Sequence, residues 1–385
     1  MPATATATIA QTVVTTETAS EAATASEGVL RADNTTAETE HRPLPSPREL
    51  LSELPLGATA RETVRRGRAE VRAALRGDDP RPVVVVGPCS LHDRDGALEY
   101  ADRLAAARRR LQDRLCIVMR AYLEKPRTTI GWRGMVYDPY MDGSLDMAAG
   151  LRMARALLSD ICERGVPVAT EVLDPATPAY YTDLLSFASI GARTAESQPH
   201  RALASGLPLP VGVKNGTQGQ PQTAVDALVS AREPHSYLGI DPEGRCCMVR
   251  TAGNRDGVLI LRGGRATGPN YDAASVAEAA ARLSDVDLNA AVLVDCSHAN
   301  SGYDPARQAE ICREVLRQRR AAGSAARGVL LESNLVPGKQ SLPADLHLLK
   351  ARGEALSLRY GVSVTDACLG WEETESLLEE MAAAA

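Results

Sequence analysis

The run VVVVGPCSLH at residues 83–92 carries a thiol, Cys89, straight off the end of an apolar stretch. Seven further apolar runs end in the same manner, each in a side chain able to bind a metal, a proton or an anion. CIVMRAYLEKPRTT supplies Arg120, then Glu124, Lys125, Arg127 and Thr128, PVATEVLD supplies Glu171, and SIGARTAES supplies Arg193. The other four give Lys214 from PVGVKNGT, Arg262 from GVLILRGG, His298 from AVLVDCSHAN and Glu332 from GVLLESN. Taken singly, each charge is a solvated loop residue, and Cys89 is as readily a small buried hydrophobe. Eight out of eight is a pattern that such readings leave unexplained.

The set divides into two kinds of chemistry. Cys89, His298 and Glu332 are a soft, a borderline and a hard ligand for a divalent transition metal, and SVTDACLGW adds Asp366 as a fourth. Such donors suit Mn²⁺, Fe²⁺, Co²⁺ or Zn²⁺ and exclude an all-oxygen Ca²⁺ or Mg²⁺ cage. The second kind is cationic: Arg120, Lys125, Arg127, Arg193, Lys214 and Arg262. Converging guanidinium and ammonium groups bind phosphates and carboxylates, and there are more here than one phosphate needs. Two anionic substrates, or one with several anionic groups, fit better. A metal beside two phosphorylated substrates implies carbonyl polarisation, and so carbon–carbon bond chemistry.

Lysine usage singles out two of these cations. Only Lys125, Lys214, Lys339 and Lys350 are lysines among 43 basic residues. A guanidinium cannot replace a compact ammonium of tunable pKa, so surviving lysines are enriched where one is required. Lys125 and Lys214 both follow apolar runs; Lys339 and Lys350 read as chance survivors.

A repeated β/α unit must position these groups. From residue 82, continuous apolar runs alternate with Ala/Leu/Arg-rich stretches such as GALEYADRLAAARRRL and ARQAEICREVLRQRRAAG. Continuous apolar runs mark parallel strands buried on both faces. Eight β/α units predict a closed (β/α)8 TIM barrel, an α/β fold whose sites lie at the C-terminal strand ends; a doubly wound open sheet is the alternative. The fourth strand is read over SIGARTAES, after a helix over YYTDLLSFA. SYLGIDPEGRCCMVRTA, near 236–252, reads as an inserted β-hairpin turning at Asp241–Gly244. SPRELLSELP and TARETVRRGRAEVRAALRG read as N-terminal helices, each opened by a capping residue. Residues 1–43, Ala/Thr/Glu-rich and without periodicity, read as a disordered extension, leaving 44–385 as a single domain.

With 44% hydrophobic residues in 385, a large core is available. The net charge of −6 argues against nucleic acid or a membrane as the main partner. No apolar run approaches the roughly 18 residues of a membrane span. Nothing before Arg31 is basic, unlike a secretory or transit leader, so the cytoplasm is expected. Eight cysteines lack the spacing of a disulfide framework; Cys116, Cys162, Cys296, Cys312 and Cys368 read as small buried hydrophobes.

The segments GPCS, RAYLEKPRTTIGWRG, GARTAESQPHRALASGL, VGVKNGT, LRGG with PNY, SHANS, ES with VPGKQSL, and TDACLGWE together resemble the type I 3-deoxy-D-arabino-heptulosonate-7-phosphate (DAHP) synthases. The resemblance runs from about residue 44 to the C-terminus, and the KPRTT loop separates this branch from the octulosonate-8-phosphate synthases. It implies condensation of phosphoenolpyruvate with erythrose 4-phosphate, the first step of the shikimate pathway, by a homodimer or homotetramer holding one divalent ion (Mn, Co, Fe or Zn). It places the metal on Cys89, His298, Glu332 and Asp366. It places phosphoenolpyruvate on Arg120, Lys125, Arg193, Lys214, Arg262 and the Gly191–Ala192 backbone, and the erythrose phosphate on Arg127 and Thr128. Glu171 matches an acidic residue near phosphoenolpyruvate and the attacking water. Lys125 is the candidate proton donor to the new alkoxide; with Glu171 and His298 it makes up the catalytic set.

Two alternatives accompany this reading. A paralogue serving secondary metabolism would carry the same residues. A Schiff-base aldolase built on Lys125 or Lys214 would leave the Cys/His/Glu/Asp set without a role. Effector-sensitive relatives hold an aromatic amino acid near the segments that read LDPATP, ASGLP and SYLGIDPEGR here. Asp174, Pro178 and Leu207 keep the common pattern, whereas Pro175, Pro208 and Gly239 depart from it, so a weak response to phenylalanine and tyrosine is expected.

The lysine reading is checked by kinetics. Lys125→Arg and Lys214→Arg should each cost at least about 10²-fold in turnover or specificity, while Lys350→Arg should be nearly silent. Three variants behaving alike would refute it.

Overall fold

The apolar runs become strands β1 (Val83–Gly87), β2 (Cys116–Arg120), β3 (Val168–Glu171), β4 (Leu185–Ile190) and β5 (Val211–Lys214), then β6 (Ser236–Ile240) and β7 (Cys246–Arg250) of the inserted hairpin, and finally β8 (Gly257–Leu261), β9 (Val292–Asp295) and β10 (Ala326–Glu332). In this computed structural model, which describes residues 40–343, 345–353 and 356–385, eight of them close a barrel in the order β1-β10-β9-β8-β5-β4-β3-β2. Every barrel pair is parallel. The expected disorder of the N-terminal extension falls almost entirely outside the described residues. The hairpin turns where the sequence indicated, Asp241 N donating to Arg245 O and Gly244 N to Asp241 O, both at 2.9 Å.

Helices are α1 (Pro47–Glu53), α2 (Ala58–Arg76), α3 (Arg94–Leu111), α4 (Met147–Glu163), α5 (Gln198–Ala204), α6 (Gln222–Arg232), α7 (Ala273–Ser284), α8 (His298–Ser301), α9 (Gln308–Arg319), α10 (Leu349–Arg352) and α11 (Trp371–Ala384). Among the described residues, none is long and apolar enough to cross a membrane. Helix α1 opens on the expected capping residue, Ser46, which forms a capping box with Glu49: Glu49 N donates to Ser46 Oγ at 3.2 Å and Ser46 N to Glu49 Oε2 at 2.7 Å. Helix α2 departs from expectation. Its N-cap is Gly57, which has no side chain to offer, and Ala60 N donates instead to Glu163 Oε1 at the end of α4, at 3.3 Å.

A separate buried cluster fills the barrel: Val83, Val85, Cys116, Val118, Ala169, Phe187, Val258, Ile260, Leu293 and Leu330. Alternation along a strand puts every second side chain inside. Two positions beyond these stand Arg120, Glu171, Ser189, Arg262, Asp295 and Glu332, and Lys214 stands two beyond Gly212. The polar rim is therefore the top layer of the same pile. A Cβ at Gly212 would meet Ile260 Cδ1 at 2.4 Å and Phe187 Cζ at 2.8 Å, so any side chain there would displace the packed interior. At the opposite end, Val71, Ala74 and Leu75 of α2 join the interior cluster. Arg68 Nε donates to Leu185 O at 2.8 Å, Arg72 Nε to Asp256 Oδ2 at 2.5 Å, and Asn289 Nδ2 to Leu75 O at 2.9 Å. Those partners stand at the start of β4 and just before β8 and β9, so α2 floors the barrel.

The fourth strand needs correction. YYTDLLSFA is not a helix: Thr177–Tyr180 and Thr182–Leu184 are single 3₁₀ turns, and Leu185–Ile190 is the strand. A short apolar run carries no periodicity that distinguishes strand from helix, and the inward fit of Phe187 decides it. Arg193 lies in the turn that follows. The five cysteines read as hydrophobes are buried.

Phe187 is the only phenylalanine in the chain and is fully enclosed. Phe187→Ala is expected to cost about 3–5 kcal/mol of stability, seen as a lower denaturant midpoint at fixed protein concentration. An unchanged midpoint would show that the interior is not packed as described.

Candidate active site

The C-terminal strand ends open into a pocket of about 250 Å³. Arg120, Lys125, Arg127, Arg193, Lys214, Arg262 and Arg265 line it, against only two carboxylates, Glu171 and Asp366. Every cation expected from the sequence is present. Arg265, Thr217 and Tyr303 are additions, carried past the strand ends by the loops after β5, β8 and β9.

At one side Cys89, Glu332 and Asp366 bring their donor atoms within 4.8 Å of one another. Cys89 reaches this point through the Gly87–Pro88 turn. Asp366 returns from a long excursion that is fastened beside β10: Leu369 N donates to Glu332 O at 2.9 Å and Asn334 N to Leu369 O at 2.8 Å. Ser90 Oγ and Thr365 Oγ1 pair at 2.8 Å, and Asp366 N donates to Cys89 Sγ at 3.4 Å. His298 stands outside this tight group, with Nε2 3.9 Å from Glu332 Oε1. Burial pushes the Cys89 thiol up, reinforced by Glu332. Burial would also raise Asp366, but Lys125 beside it prevails and holds that carboxyl below its usual range. A thiol, two carboxylates and a nearby imidazole nitrogen are donors for a transition ion, so the residues fit the implied metal.

The cations crowd around one aromatic ring. Arg120 lies with Cζ 3.5 Å from the centroid of Tyr122, while Lys125 and Lys214 place Nζ 5.8 and 5.7 Å away; the electron-rich face attracts all three. Tyr122 is held by a 2.9 Å bond between its hydroxyl and Ser189 Oγ. Arg120 Nη2 donates to Glu332 Oε1 at 2.8 Å with both side chains buried. Lys125 Nζ donates to Cys89 O at 3.2 Å and to Cys89 Sγ at 3.1 Å. Lys214 Nζ lies 3.2 Å from Asp295 Oδ2 and 3.8 Å from Glu171 Oε2. Burial works to lower both lysines. Cys89 beside Lys125, and Tyr122 and Asp295 beside Lys214, more than offset it and keep both above the usual lysine value. A Schiff-base lysine needs its pKa lowered, and the surroundings of both amines act in the other direction, which counts against that alternative.

Glu171 packs against Gly191 so closely that a Cβ at 191 would sit inside its carboxylate. That contact explains the glycine ahead of Ala192 at the pocket wall. Nearer the mouth, Arg193 Nη2 donates to Thr128 Oγ1 at 3.1 Å and Arg127 Nε to Trp132 O at 2.8 Å. Asp295 was not singled out in the sequence, although it is two positions beyond the inward Leu293, the same signal that marks its neighbours. Burial would raise its pKa, but His298 and Lys214 override this and hold it well below the carboxylate range.

Glu124 turns away from the pocket. Its Oε2 accepts from Leu173 N and Asp174 N, both at 3.2 Å, which braces the loop after β2 against the loop after β3. A separate groove of about 490 Å³ runs past that second loop to the hairpin, lined by Pro175, Pro178, Leu207, Pro208, Tyr237 and Gly239 among others.

Fold and pocket define a (β/α)8-barrel protein built to hold anions beside a cluster of metal-donor side chains. The chain belongs to the DAHP synthetase I family, whose profile matches residues 59–379. It is 45% identical over 343 residues to the Tyr-sensitive phospho-2-dehydro-3-deoxyheptonate aldolase of Escherichia coli K12, covering 89% of this chain and 93% of that protein. The Phe-sensitive enzyme of the same strain is 48% identical over 336 residues, covering 87% and 93%. A solved structure of the phospho-2-dehydro-3-deoxyheptonate aldolase from Francisella tularensis SCHU S4 superposes with a TM-score of 0.85 at 43% identity, covering 90% of this chain and 98% of that one.

Burial raises Glu124 from the ordinary 4.5 to about 7. Between those values the folded chain holds a proton that the unfolded chain has released, so this group's contribution to stability falls as pH rises through the window. Glu124→Gln removes the titration. Its melting temperature relative to the unaltered protein should climb steadily from pH 5 to about pH 7; a pH-independent difference would contradict the assignment.

Proposed function

We propose that this chain is a metal-dependent DAHP synthase, joining phosphoenolpyruvate, erythrose 4-phosphate and water to give 3-deoxy-D-arabino-heptulosonate 7-phosphate and phosphate at the head of the shikimate pathway. The observation that carries the reading is a pocket lined by seven cations, with Asp366 in its wall joining Cys89 and Glu332 in one group of metal donors. In the same reading the enzyme acts in the cytoplasm as a homodimer or homotetramer.

Cys89, His298, Glu332 and Asp366 would hold the divalent ion, Mn²⁺, Fe²⁺, Co²⁺ or Zn²⁺. When bound, such an ion supplies Lewis-acid polarisation of the aldehyde. The remaining work belongs to the chain's own residues. Arg120, Lys125, Lys214, Arg262 and Arg193, with the Gly191–Ala192 backbone, hold the carboxylate and phosphate of phosphoenolpyruvate. Arg127 and Thr128, nearer the mouth, hold the phosphate of the aldose and so present its aldehyde inward. The methylene carbon attacks that aldehyde, and the Lys125 ammonium gives a proton to the alkoxide that forms. Water adds at C2, losing its proton toward Glu171, and phosphate leaves with cleavage of its carbon–oxygen bond. Fixed cations stabilise the departing charge without having to reorganise.

Exhaustive chelation should abolish phosphate release, with Mn²⁺, Co²⁺ or Fe²⁺ restoring it. Cys89→Ala should lose both metal and activity while its circular dichroism is unchanged. Full turnover at a metal content near zero would refute the metal role.

The groove beside the hairpin is the place where an effector would act, but Pro208 and Pro175 have no N–H to offer it and Gly239 presents no side chain. Titration of phenylalanine or tyrosine against turnover is expected to show weak inhibition or none; half-inhibition at micromolar concentration would overturn that expectation.

A further inference from the structure

Asp295 ends β9 fully buried, facing the pocket side of the barrel. Its Oδ1 accepts from Ser297 N at 3.0 Å and from Ser297 Oγ at 2.6 Å. Its Oδ2 lies 2.9 Å from His298 Nδ1 and 3.2 Å from Lys214 Nζ as charge contacts, without hydrogen-bond alignment to either. Ser297 Oγ also stands 2.8 Å from His298 Nδ1.

These contacts fix where the imidazole proton sits. The one hydroxyl hydrogen of Ser297 is committed to Asp295, so toward His298 the serine oxygen can only accept. An ionised carboxylate oxygen has no hydrogen to give either. Both neighbours of Nδ1 are acceptors, so Nδ1 carries the hydrogen, and in the neutral imidazole Nε2 is left with a bare lone pair. Nε2 is the atom 3.9 Å from Glu332 Oε1, on the side of the metal donors. His298 is also held with φ +56°, a left-handed backbone that a histidine seldom adopts unaided. Lys214 on the far side of Oδ2 keeps a cation against the carboxylate whether or not the histidine is neutral.

We propose that Asp295 is the positioning residue of the site: it sets the tautomer and direction of His298, so that Nε2 faces the Cys89, Glu332 and Asp366 donors as a ready ligand, while the same oxygen anchors Lys214. Asp295 touches no reacting atom and acts through His298. The inference rests on the reading of His298 as a metal ligand given above.

The test is Mn²⁺ affinity, measured on the chelator-stripped full chain by the electron paramagnetic resonance signal of free Mn²⁺. Asp295→Asn keeps the shape but can turn an N–H toward Nδ1, favouring the tautomer with its hydrogen on Nε2. Losing such an outer partner typically weakens metal binding about 10–100-fold, and that loss is expected here. His298→Ala should also weaken binding. The double variant should be no weaker than His298→Ala alone, within about twofold, because the two residues act as a unit. If His298→Ala binds Mn²⁺ normally, the ligand reading itself falls. If His298→Ala weakens binding but Asp295→Asn does not, or if the two losses add in full, the proposal for Asp295 falls alone. A second measurement needs no Asp295 variant. Nitrogen-15 labelling of the six histidines reads their tautomers in the metal-free protein, with His298 assigned by its missing signal in His298→Ala. In the neutral ring a hydrogen on Nδ1 is expected, and a neutral ring with its hydrogen on Nε2 overturns the proposal.

Discussion

The constraint on which everything else depends is repulsion among buried cations. Arg120, Lys125 and Lys214 all lie within 6 Å of one tyrosine ring. Two unit charges about 6 Å apart repel by roughly 3 kcal/mol at an effective dielectric near 20. The chain relieves this locally, with Glu332 on Arg120, Asp295 and Glu171 on Lys214, and the Cys89 carbonyl on Lys125. Those partners do not exhaust the positive charge, because Arg127, Arg193, Arg262 and Arg265 face the same space. An arriving dianion therefore relieves a strain already present, and its binding stabilises the whole barrel by mass action.

Holding such a cluster requires a frame that cannot relax, and the barrel provides it. Arg120, Glu171, Arg262, Asp295 and Glu332 are each the next inward step above packed hydrophobes of their strand, from Cys116 and Val118 below Arg120 to Leu293 below Asp295 and Leu330 below Glu332. A shift of one residue in register would turn a strand's hydrophobes and its charge outward together. The burial that stabilises the core thus also aims the cations. Lys125, Arg127, Arg193 and Arg265 stand on the loops beyond the strands, and Asp366 arrives from outside the barrel, depending on the Leu369–Glu332 and Ser90–Thr365 bonds for its place.

Much of this was legible in the sequence because strand ends are marked by a change from apolar to charged residues. Cys89, Glu171, Lys214, Arg262 and Glu332 all stand at such a change. What was missed had its signal overwritten. Asp295 was masked by the more conspicuous His298 three positions later. Tyr122 looked like one more apolar residue, and its role as a platform exists only once β2, the loop after it and β5 have brought three cations around its ring. The fourth strand was displaced because LLSFA suits a helix as well as a strand until Phe187 has a barrel interior to fill. Glu124 had the right composition for the rim, but it lies past the end of β2, where strand alternation no longer decides direction, and the backbone N–H groups of Leu173 and Asp174 draw its carboxylate away from the pocket. The floor made by α2 was invisible for a similar reason, since an amphipathic helix does not say which surface its apolar stripe will cover.

That floor has a consequence for traffic. With Val71, Ala74 and Leu75 closing the N-terminal end, the pocket is a blind well with a single door at the strand tips. Lys214 and Arg120 are deep in it, whereas Arg193 and Thr128 are exposed near the rim. Whatever is gripped at depth must go in first, and the partner held at the rim then corks it. A rim occupant that arrives early bars the way and has to back out before anything can happen. The packed interior, closed below by one helix, thereby turns depth in the pocket into an order of arrival.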